Sequence, residues 1–211
     1  RPERLLMNAV LRSGFWWPED DLHSWKLAPK EVHGIERALP YVLKRDLVVQ
    51  AGGNVGIWPA WLAERFAKVV TFEPSPDNYE CLVKNVPANV EHHLAGLGAE
   101  AGSLSLVKWP DSCARTYISP DMKDEGVPIV TIDSLNLPAC DLIVLDIEGF
   151  ELFALQGAAK TIEKFNPVIM FEENGLSVQL YGCQPASEYL TSLGYETKGR
   201  VHRQDLIMVR G

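Results

Sequence analysis

The chain has 211 residues, of which 46% are hydrophobic and 23% charged, enough for one globular domain with a full core. No apolar run approaches the ~20 residues that a helix needs to cross a bilayer, so we expect no membrane partner. The net charge of −8 argues against a nucleic acid partner, because binding to phosphates normally depends on clustered Lys and Arg.

The cysteine pattern and the first residues bear on the compartment. Cys81, Cys113, Cys140 and Cys183 are far apart and show no CxxC or Cys/His metal spacing, which is typical of reduced thiols. Residues 1–10 mix charges with a short apolar patch, unlike a secretory signal. We therefore expect a cytoplasmic protein.

Residues 1–45 form an irregular, polar segment that carries Trp16, Trp17 and Trp25. Tryptophans in such a segment indicate either an extension that covers the core or a lid over a substrate. The sequence predicts this extension first and a single catalytic domain over residues 46–211.

From residue 46 onward, apolar strands alternate with helical segments. The predicted strands are 47–50, 68–73, 90–94, 103–107, 129–132, 141–147 and 168–171, the predicted helices are 57–67, 77–85, 151–165 and 185–193, and residues 195–201 and 205–209 form a closing antiparallel pair. This alternation predicts an α/β fold with a mainly parallel sheet and helices on both faces. The near-continuous apolar strands agree with burial on both sides.

Polar residues and glycines follow the ends of five predicted strands. Ligands of open α/β sheets bind beyond the carboxyl ends of the strands, so this edge is the expected site. The five ends begin at Gln50, Glu73, Ala95, Asp146 and Glu172.

The first strand runs into a glycine-rich turn, Gln50-Ala51-Gly52-Gly53-Asn54-Val55-Gly56. A dinucleotide fingerprint starting at Gly52 would need glycines at positions 54 and 57, which are Asn54 and Ile57, and the GK[ST] of a P-loop is also absent. The turn therefore favours a nucleoside-like ligand without a pyrophosphate.

Glu73 ends the second strand, 21 residues after Gly52. A carboxylate at this place can accept hydrogen bonds from both hydroxyls of a ribose. Together, the turn and the acid point to S-adenosylmethionine (SAM). The alternative is that Glu73 only caps the chain before Pro74.

The order of the motifs resembles the FkbM-type family of SAM-dependent methyltransferases over about residues 47–175. The motifs that carry the resemblance are AGGNVG, TFEPSPDNYECLVKN, GLGAEAGSLSL, PIVTIDSL, DLIVLDIEGFELFALQGA and VIMFEEN. The resemblance implies a class I methyltransferase fold, with SAM over the first strand ends. It also implies methylation of hydroxyl oxygens on small metabolites or sugars.

Position by position, the resemblance implies a cofactor site at three strand ends. The implied contacts are Gly52, Asn54 and Gly56 to the methionine part, Glu73 to the ribose with Pro74 and Ser75 beside it, and Ala95 and Gly96 near the adenine.

Gln50 departs from the family pattern, which usually has Asp at this place to bind the amino group of the methionine part. Gln50 can accept a hydrogen bond but supplies no charge. We expect either weaker SAM binding or a substitute acid nearby, such as Asp146.

Asp146 and Glu148 are the predicted catalytic residues, because a carboxylate facing the cleft can take the proton of the acceptor hydroxyl. An equally weighted alternative is that Glu148 binds backbone N–H groups at the helix start. For Glu151, in the first turn of the next helix, helix capping is the preferred interpretation.

Several alternatives stay open. Asp146, Glu148, Glu172 and Glu173 are ligands of the type Mg²⁺ prefers, but their spacing does not require a metal, and we predict no metal ligand. An NAD-type oxidoreductase or a non-catalytic SAM-binding protein are alternative functions. We expect a small-molecule or saccharide acceptor, selected by residues 109–124 and the N-terminal tryptophans. The oligomeric state stays open.

Overall fold

A computed structural model of the chain describes residues 8–26, 32–108, 116–119, 126–201 and 204–211. Most of the loop predicted at residues 109–124 lies outside these ranges. None of the helices in the described ranges is long and apolar enough to span a bilayer.

Fourteen short strands build the described part of the structure. They are β1 (Ala9–Arg12), β2 (Phe15–Pro18), β3 (Leu47–Ala51), β4 (Lys68–Phe72), β5 (Val90–His93), β6 (Gly96–Leu97), β7 (Gly102–Leu104), β8 (Leu106–Lys108), β9 (Thr116–Ile118), β10 (Val127–Val130), β11 (Leu142–Leu145), β12 (Val168–Glu172), β13 (Tyr195–Val201) and β14 (Asp205–Arg210).

Besides helical residues at 24–26, the same ranges contain short α-helices. They are α1 (His33–Glu36), α2 (Ile57–Ala63), α3 (Pro76–Asn85), α4 (Glu151–Gln156), α5 (Ala159–Phe165), α6 (Leu176–Tyr181) and α7 (Ala186–Ser192). Two 3₁₀ turns, Leu39–Tyr41 and Ile132–Leu135, accompany them.

The main sheet has seven strands in the order β13-β14-β12-β11-β3-β4-β5. Strands β5, β4, β3, β11 and β12 are parallel to one another, whereas β14 is antiparallel to both β12 and β13. The mainly parallel sheet and the closing antiparallel pair confirm the prediction. Because the chain moves outward from β3 to β5 and then returns to β11 on the other side of β3, the topological switch point lies between β3 and β11.

The central strands are buried on both faces, as the continuous apolar runs predict. All five residues of β3 are buried, and its side chains alternate between two hydrophobic cores. Val49 and Ile143 belong to one core, and Val48 and Val144 to the other. This two-sided burial fixes the positions at which the polar strand ends emerge.

Two predicted elements are each divided in the structure. The helix predicted over 151–165 is two helices, α4 and α5, with Gly157 between them. A Cβ on Gly157 would lie 2.0 Å from the carbonyl oxygen of Gly98. The helix is therefore interrupted where the backbone of Gly98 packs closely against it. The strand predicted over 103–107 is also two: β7 pairs with β10, and β8 with β9.

The N-terminal segment contains a regular hairpin, β1–β2, rather than irregular chain alone. Its Trp17 is fully buried in a cluster with Val55, Ile57 and Cys81, next to α3. Ser13 and Gly14 at the turn both have positive φ angles, which is typical of a two-residue hairpin loop. The hairpin therefore packs on the main body beside the glycine turn.

Candidate functional site

The ends of β3 and β11 meet at the switch point. Gly52 has a φ of +82°, and a Cβ on it would lie 1.9 Å from the carbonyl oxygen of Asp146. The Asp146 N–H also donates to the Ala51 carbonyl, at 3.1 Å. Only glycine fits at position 52, and the predicted glycine turn and the predicted catalytic acid are therefore neighbours.

The end of β4 holds the glycine turn in place. The N–H groups of Gly52 and Gly53 both donate to the Phe72 carbonyl, at 3.1 and 2.9 Å. A Cβ on Gly53 would lie 2.6 Å from the Leu82 side chain and 2.8 Å from the Thr71 hydroxyl. The turn, termed here the cofactor loop (residues 52–56), is thus packed tightly by its neighbours.

Glu73 links the cofactor loop to the start of α3. One carboxylate oxygen accepts from the Asn54 N–H at 2.7 Å, and the other from the Ser75 N–H at 2.8 Å. Burial raises the pKa of Glu73 to about 7, although these N–H groups favour its charged form. The Asn78 side chain also hydrogen-bonds this carboxylate, and the three contacts agree with the capping alternative. A carboxylate has about four acceptor positions, so one is left for a ribose hydroxyl. The ribose contact stays a prediction.

Gln50 is fully buried below the loop. Its amide nitrogen donates to the carbonyls of Ala51 and Gly52, both at 3.0 Å, and its carbonyl accepts from the Thr71 hydroxyl. These bonds give Gln50 a structural task, which is to hold the beginning of the cofactor loop. Its predicted contact with the cofactor stays a prediction.

The third strand end lies beside the second. Ala95 and Gly96 are buried, and a Cβ on Gly96 would lie 2.7 Å from the Ile129 side chain and 4.0 Å from the Pro74 side chain. The predicted adenine residues therefore adjoin the predicted ribose residues. Gly56, with a φ of +97°, ends the loop at the first turn of α2.

The predicted catalytic acids follow β11 in a tight turn. Asp146 and Glu148 are half-buried, and Glu148 and Gly149 both have positive φ angles. Burial and the nearby carboxylates of Glu172 and Glu148 raise the pKa of Asp146 well above its ordinary value. The environment of Asp146 therefore disfavours its charged form.

Glu151 binds the backbone of the same turn. Its carboxylate accepts from the Ile147 N–H at 3.0 Å and the Gly149 N–H at 3.3 Å, and burial raises its pKa to about 7. Glu151 lies in the first turn of α4 as predicted, and the two N–H groups belong to the turn that precedes the helix. Glu151 therefore binds these two backbone N–H groups, which is the role considered from the sequence for Glu148.

The remaining acids at this edge have partners of their own. Glu172 accepts from the Asn174 amide at 2.9 Å, and Glu173 accepts from the N–H and the hydroxyl of Ser187, both at 2.9 Å. Within the described residues, no three His, Cys, Asp or Glu side chains come together as a group that could hold a metal ion.

Two contributors were not predicted from the sequence. Thr71 bonds Gln50 from the neighbouring strand, and Asn85, at the end of α3, donates to the Val55 carbonyl of the cofactor loop at 2.7 Å. Thr71 could have been found, because its strand pairs with β3 and places it opposite Gln50. Nothing in the sequence connects Asn85 with position 55.

The sheet order and the glycine loop at the switch point define a class I methyltransferase fold. The solved precorrin-6Y C5,15-methyltransferase of Geobacter metallireducens matches 98% of this chain and 98% of its own, with a TM-score of 0.51 and 13% identity. Such a match shows the fold alone.

The chain belongs to the FkbM methyltransferase family, whose model, the Methyltransferase FkbM domain, matches residues 50–196. The solved FkbM methyltransferase of Methylobacillus flagellatus matches 78% of this chain and 43% of its own, with a TM-score of 0.55 and 23% identity. The predicted family and fold are confirmed.

Two curated relatives are similar over part of their length. The hexuronic acid methyltransferase AglP of Haloferax volcanii is 26% identical over 132 residues, which are 59% of this chain and 55% of AglP. Methyltransferase 1 of Beauveria bassiana is 25% identical over 144 residues, which are 53% of this chain and 58% of that protein. The chain thus spans little more than half the length of either relative.

Proposed function

We propose that this chain transfers a methyl group from SAM to a hydroxyl oxygen of a small metabolite or sugar. The observation that carries the proposal is the buried Glu73, whose carboxylate binds the cofactor loop at the end of β4. Family membership and the switch-point position of that loop support the same conclusion.

The residues present suit SAM. Glu73 keeps one acceptor position for a ribose hydroxyl, and the glycines of the cofactor loop let its backbone pack closely against neighbouring strands and helices. Asp146, the substitute acid expected for Gln50, lies with its backbone against Gly52, but its raised pKa disfavours the charged form that this role needs. When bound, SAM supplies an electrophilic methyl group on a sulfonium, so the protein has to align and deprotonate the acceptor.

Asp146 is the proposed base. Its raised pKa makes its carboxylate a stronger proton acceptor than an ordinary Asp, and Glu148 follows two residues later in the same turn. The acceptor hydroxyl would give its proton to this carboxylate as its oxygen bonds to the methyl carbon, and the bond from that carbon to the sulfonium sulfur would break to release S-adenosylhomocysteine. The name of the relative AglP supports a saccharide acceptor.

Calorimetric titration with S-adenosylhomocysteine tests the cofactor. We expect the wild-type chain to bind it, and Glu73→Ala to weaken binding by about 1–3 kcal/mol, the scale of lost hydrogen bonds to a charged group. Glu196→Ala is the control, since this exposed acid of β13 contacts Lys198 far from the loop. A wild-type chain that does not bind at millimolar concentration contradicts the proposal. Binding of a nicotinamide cofactor instead would favour an oxidoreductase.

Asp146→Asn distinguishes two roles that Asp146 could have, as the base for the acceptor hydroxyl or as the partner of the cofactor's amino group. If Asp146 is the base, methyl transfer falls by about 10²–10⁴-fold while affinity for S-adenosylhomocysteine holds. If Asp146 binds the amino group of the cofactor, affinity falls instead. Methyl transfer to any acceptor eliminates the non-catalytic alternative, and activity that persists in EDTA eliminates the metal.

A further inference from the structure

The N-terminal hairpin is fastened to α3 through the side chain of Asn85. The Asn85 amide oxygen accepts from the Trp16 N–H, and its nitrogen donates to the Trp16 carbonyl, both at 2.8 Å. The Asn85 amide thus pairs with both the N–H and the carbonyl of one residue, as a neighbouring antiparallel strand would. The Lys84 ammonium lies 5.4 Å from the centre of the Trp16 ring and adds a cation–π contact.

The same amide nitrogen reaches the cofactor loop. Asn85 donates to the Val55 carbonyl at 2.7 Å, and Val55 is almost fully buried. Its neighbour Asn54 is bound through its N–H by Glu73. The loop is therefore held on one side by Glu73 and on the other by Asn85, at consecutive residues.

Packing reinforces this connection. Trp17 of the hairpin, Val55 of the loop and Ile57 of α2 share one buried cluster. A Cβ on Gly56 would lie 2.9 Å from the Val86 side chain, next to Asn85, so little space separates the loop from the end of α3. A shift of the hairpin against α3 would therefore move the Asn85 amide and the carbonyl that it binds.

We infer that Asn85 is a positioning residue that couples the N-terminal hairpin to the cofactor loop, so that SAM affinity depends on the hairpin. The inference rests on the proposed function. The hairpin precedes the part of the chain that the family model matches, residues 50–196. The coupling thus joins a segment outside the family match to the cofactor site.

Asn85→Asp tests the coupling, because it replaces only the amide NH2 group with an oxygen. The acid keeps an acceptor for the Trp16 N–H but turns an oxygen toward the carbonyls of Val55 and Trp16, which repel it. We expect Kd for S-adenosylhomocysteine, and KM for SAM, to rise about tenfold, with little change in kcat.

Asn89→Asp is the matched control. The Asn89 amide also donates to two backbone carbonyls, those of Ala63 at 2.9 Å and Phe66 at 3.3 Å, but these lie at the end of α2 away from the loop. Both asparagines are half-buried. We expect Asn89→Asp to lower stability comparably while Kd stays within about twofold of wild type.

A second variant acts on the hairpin alone. Gly14 has a φ of +84° and open space around it, so Gly14→Val strains the hairpin turn without touching Asn85 or the loop. We expect a rise in Kd of about threefold and faster hydrogen exchange at the loop amides. This variant decides the matter if Asn85→Asp fails to fold.

The outcomes separate the two proposals. A wild-type chain that does not bind S-adenosylhomocysteine overturns both. Binding by wild type together with an unchanged Kd in Asn85→Asp or in Gly14→Val overturns the coupling alone. An equal loss of affinity in Asn89→Asp also overturns it, because the effect would then follow general stability.

Discussion

Gln50 occupies the place where the resemblance implies a carboxylate, and its surroundings explain why a neutral amide suits this chain. The amide gives two donors to the carbonyls of Ala51 and Gly52 and one acceptor to the Thr71 hydroxyl. Aspartate has no donor to offer these carbonyls, and its charge would be buried beside them. A negative charge for the amino group of the cofactor has to come from another residue, and the backbone of Asp146 lies against Gly52.

Gln50→Asp should therefore destabilise the protein, even though it introduces the residue that the resemblance implies. We expect the free energy of unfolding to fall by about 2–4 kcal/mol, because two buried carbonyls lose their donor and a charge is buried. Urea denaturation measures the loss. Thr71→Val is a milder comparison that removes only the hydroxyl donor. Unchanged stability with tighter S-adenosylhomocysteine binding would show that the missing charge, rather than the loop bonds, governs this position.

At the scale of single residues, the sequence predicts those site residues that follow directly after a strand. The distance from the glycine turn to Glu73 was enough to place both at one edge of the sheet, and the acids after β11 arrive at the same edge. Asn85 could not be predicted, because its three partners belong to the distant residues Trp16 and Val55. Side-chain contacts between separate elements leave no periodic signal in the sequence.

At the scale of elements, the division between α4 and α5 shows where sequence periodicity stops being informative. The apolar positions of residues 151–165 continue one helical pattern, so the sequence predicts a single helix. The backbone of Gly157 is itself helical, with φ −73° and ψ −1°. The break follows from the approach of the Gly98 carbonyl, a tertiary contact that the pattern cannot contain.

Gly157→Ala tests this explanation through the sign of its effect. In a helix, replacing Gly with Ala normally stabilises by about 0.5–1 kcal/mol. Here the new Cβ would lie 2.0 Å from the Gly98 carbonyl oxygen, and we expect a destabilisation of about 1–3 kcal/mol from the forced backbone shift.

Thermal or urea unfolding measures the change in Gly157→Ala. Gly102→Ala is the control, because no heavy atom lies within 4 Å of the Cβ that it would add. Its stability should stay within about 0.5 kcal/mol of wild type. Stabilisation by Gly157→Ala would mean that helix propensity, rather than the contact with Gly98, controls the junction.

For the whole molecule, the predicted topology agrees with the structure because each strand of the main sheet carries its own apolar run and turn residues. The switch point follows from the strand order, and it brings together side chains from β3, β4 and β11. This gathering of polar groups has an energetic cost, since carboxyl groups become buried where water cannot solvate them. Glu73, directly after β4, and Glu151, in the first turn of α4, both show it in raised pKa values.

These two acids should make the whole protein more stable at mildly acidic pH. Each has a pKa of about 7 in the folded state against 4.5 ordinarily, so between these values the folded state binds more protons than the unfolded state. The stabilisation is complete below about pH 4.5 and is lost as pH rises through about 7, by at most about 3 kcal/mol for each group.

Urea denaturation between about pH 5.5 and pH 8 measures this slope. Glu73→Gln and Glu151→Gln should each flatten it, because neither amide titrates. Glu91→Gln should leave the slope unchanged, since Lys68 lowers the pKa of Glu91 and the contribution of Glu91 to stability changes only below its ordinary pKa.

Ribose hydroxyls that donate to the Glu73 carboxylate would favour its charged form. Saturating S-adenosylhomocysteine should therefore also flatten the slope in wild type, but it should cause no further change in Glu73→Gln. A slope that the ligand leaves unchanged would place the ribose away from Glu73.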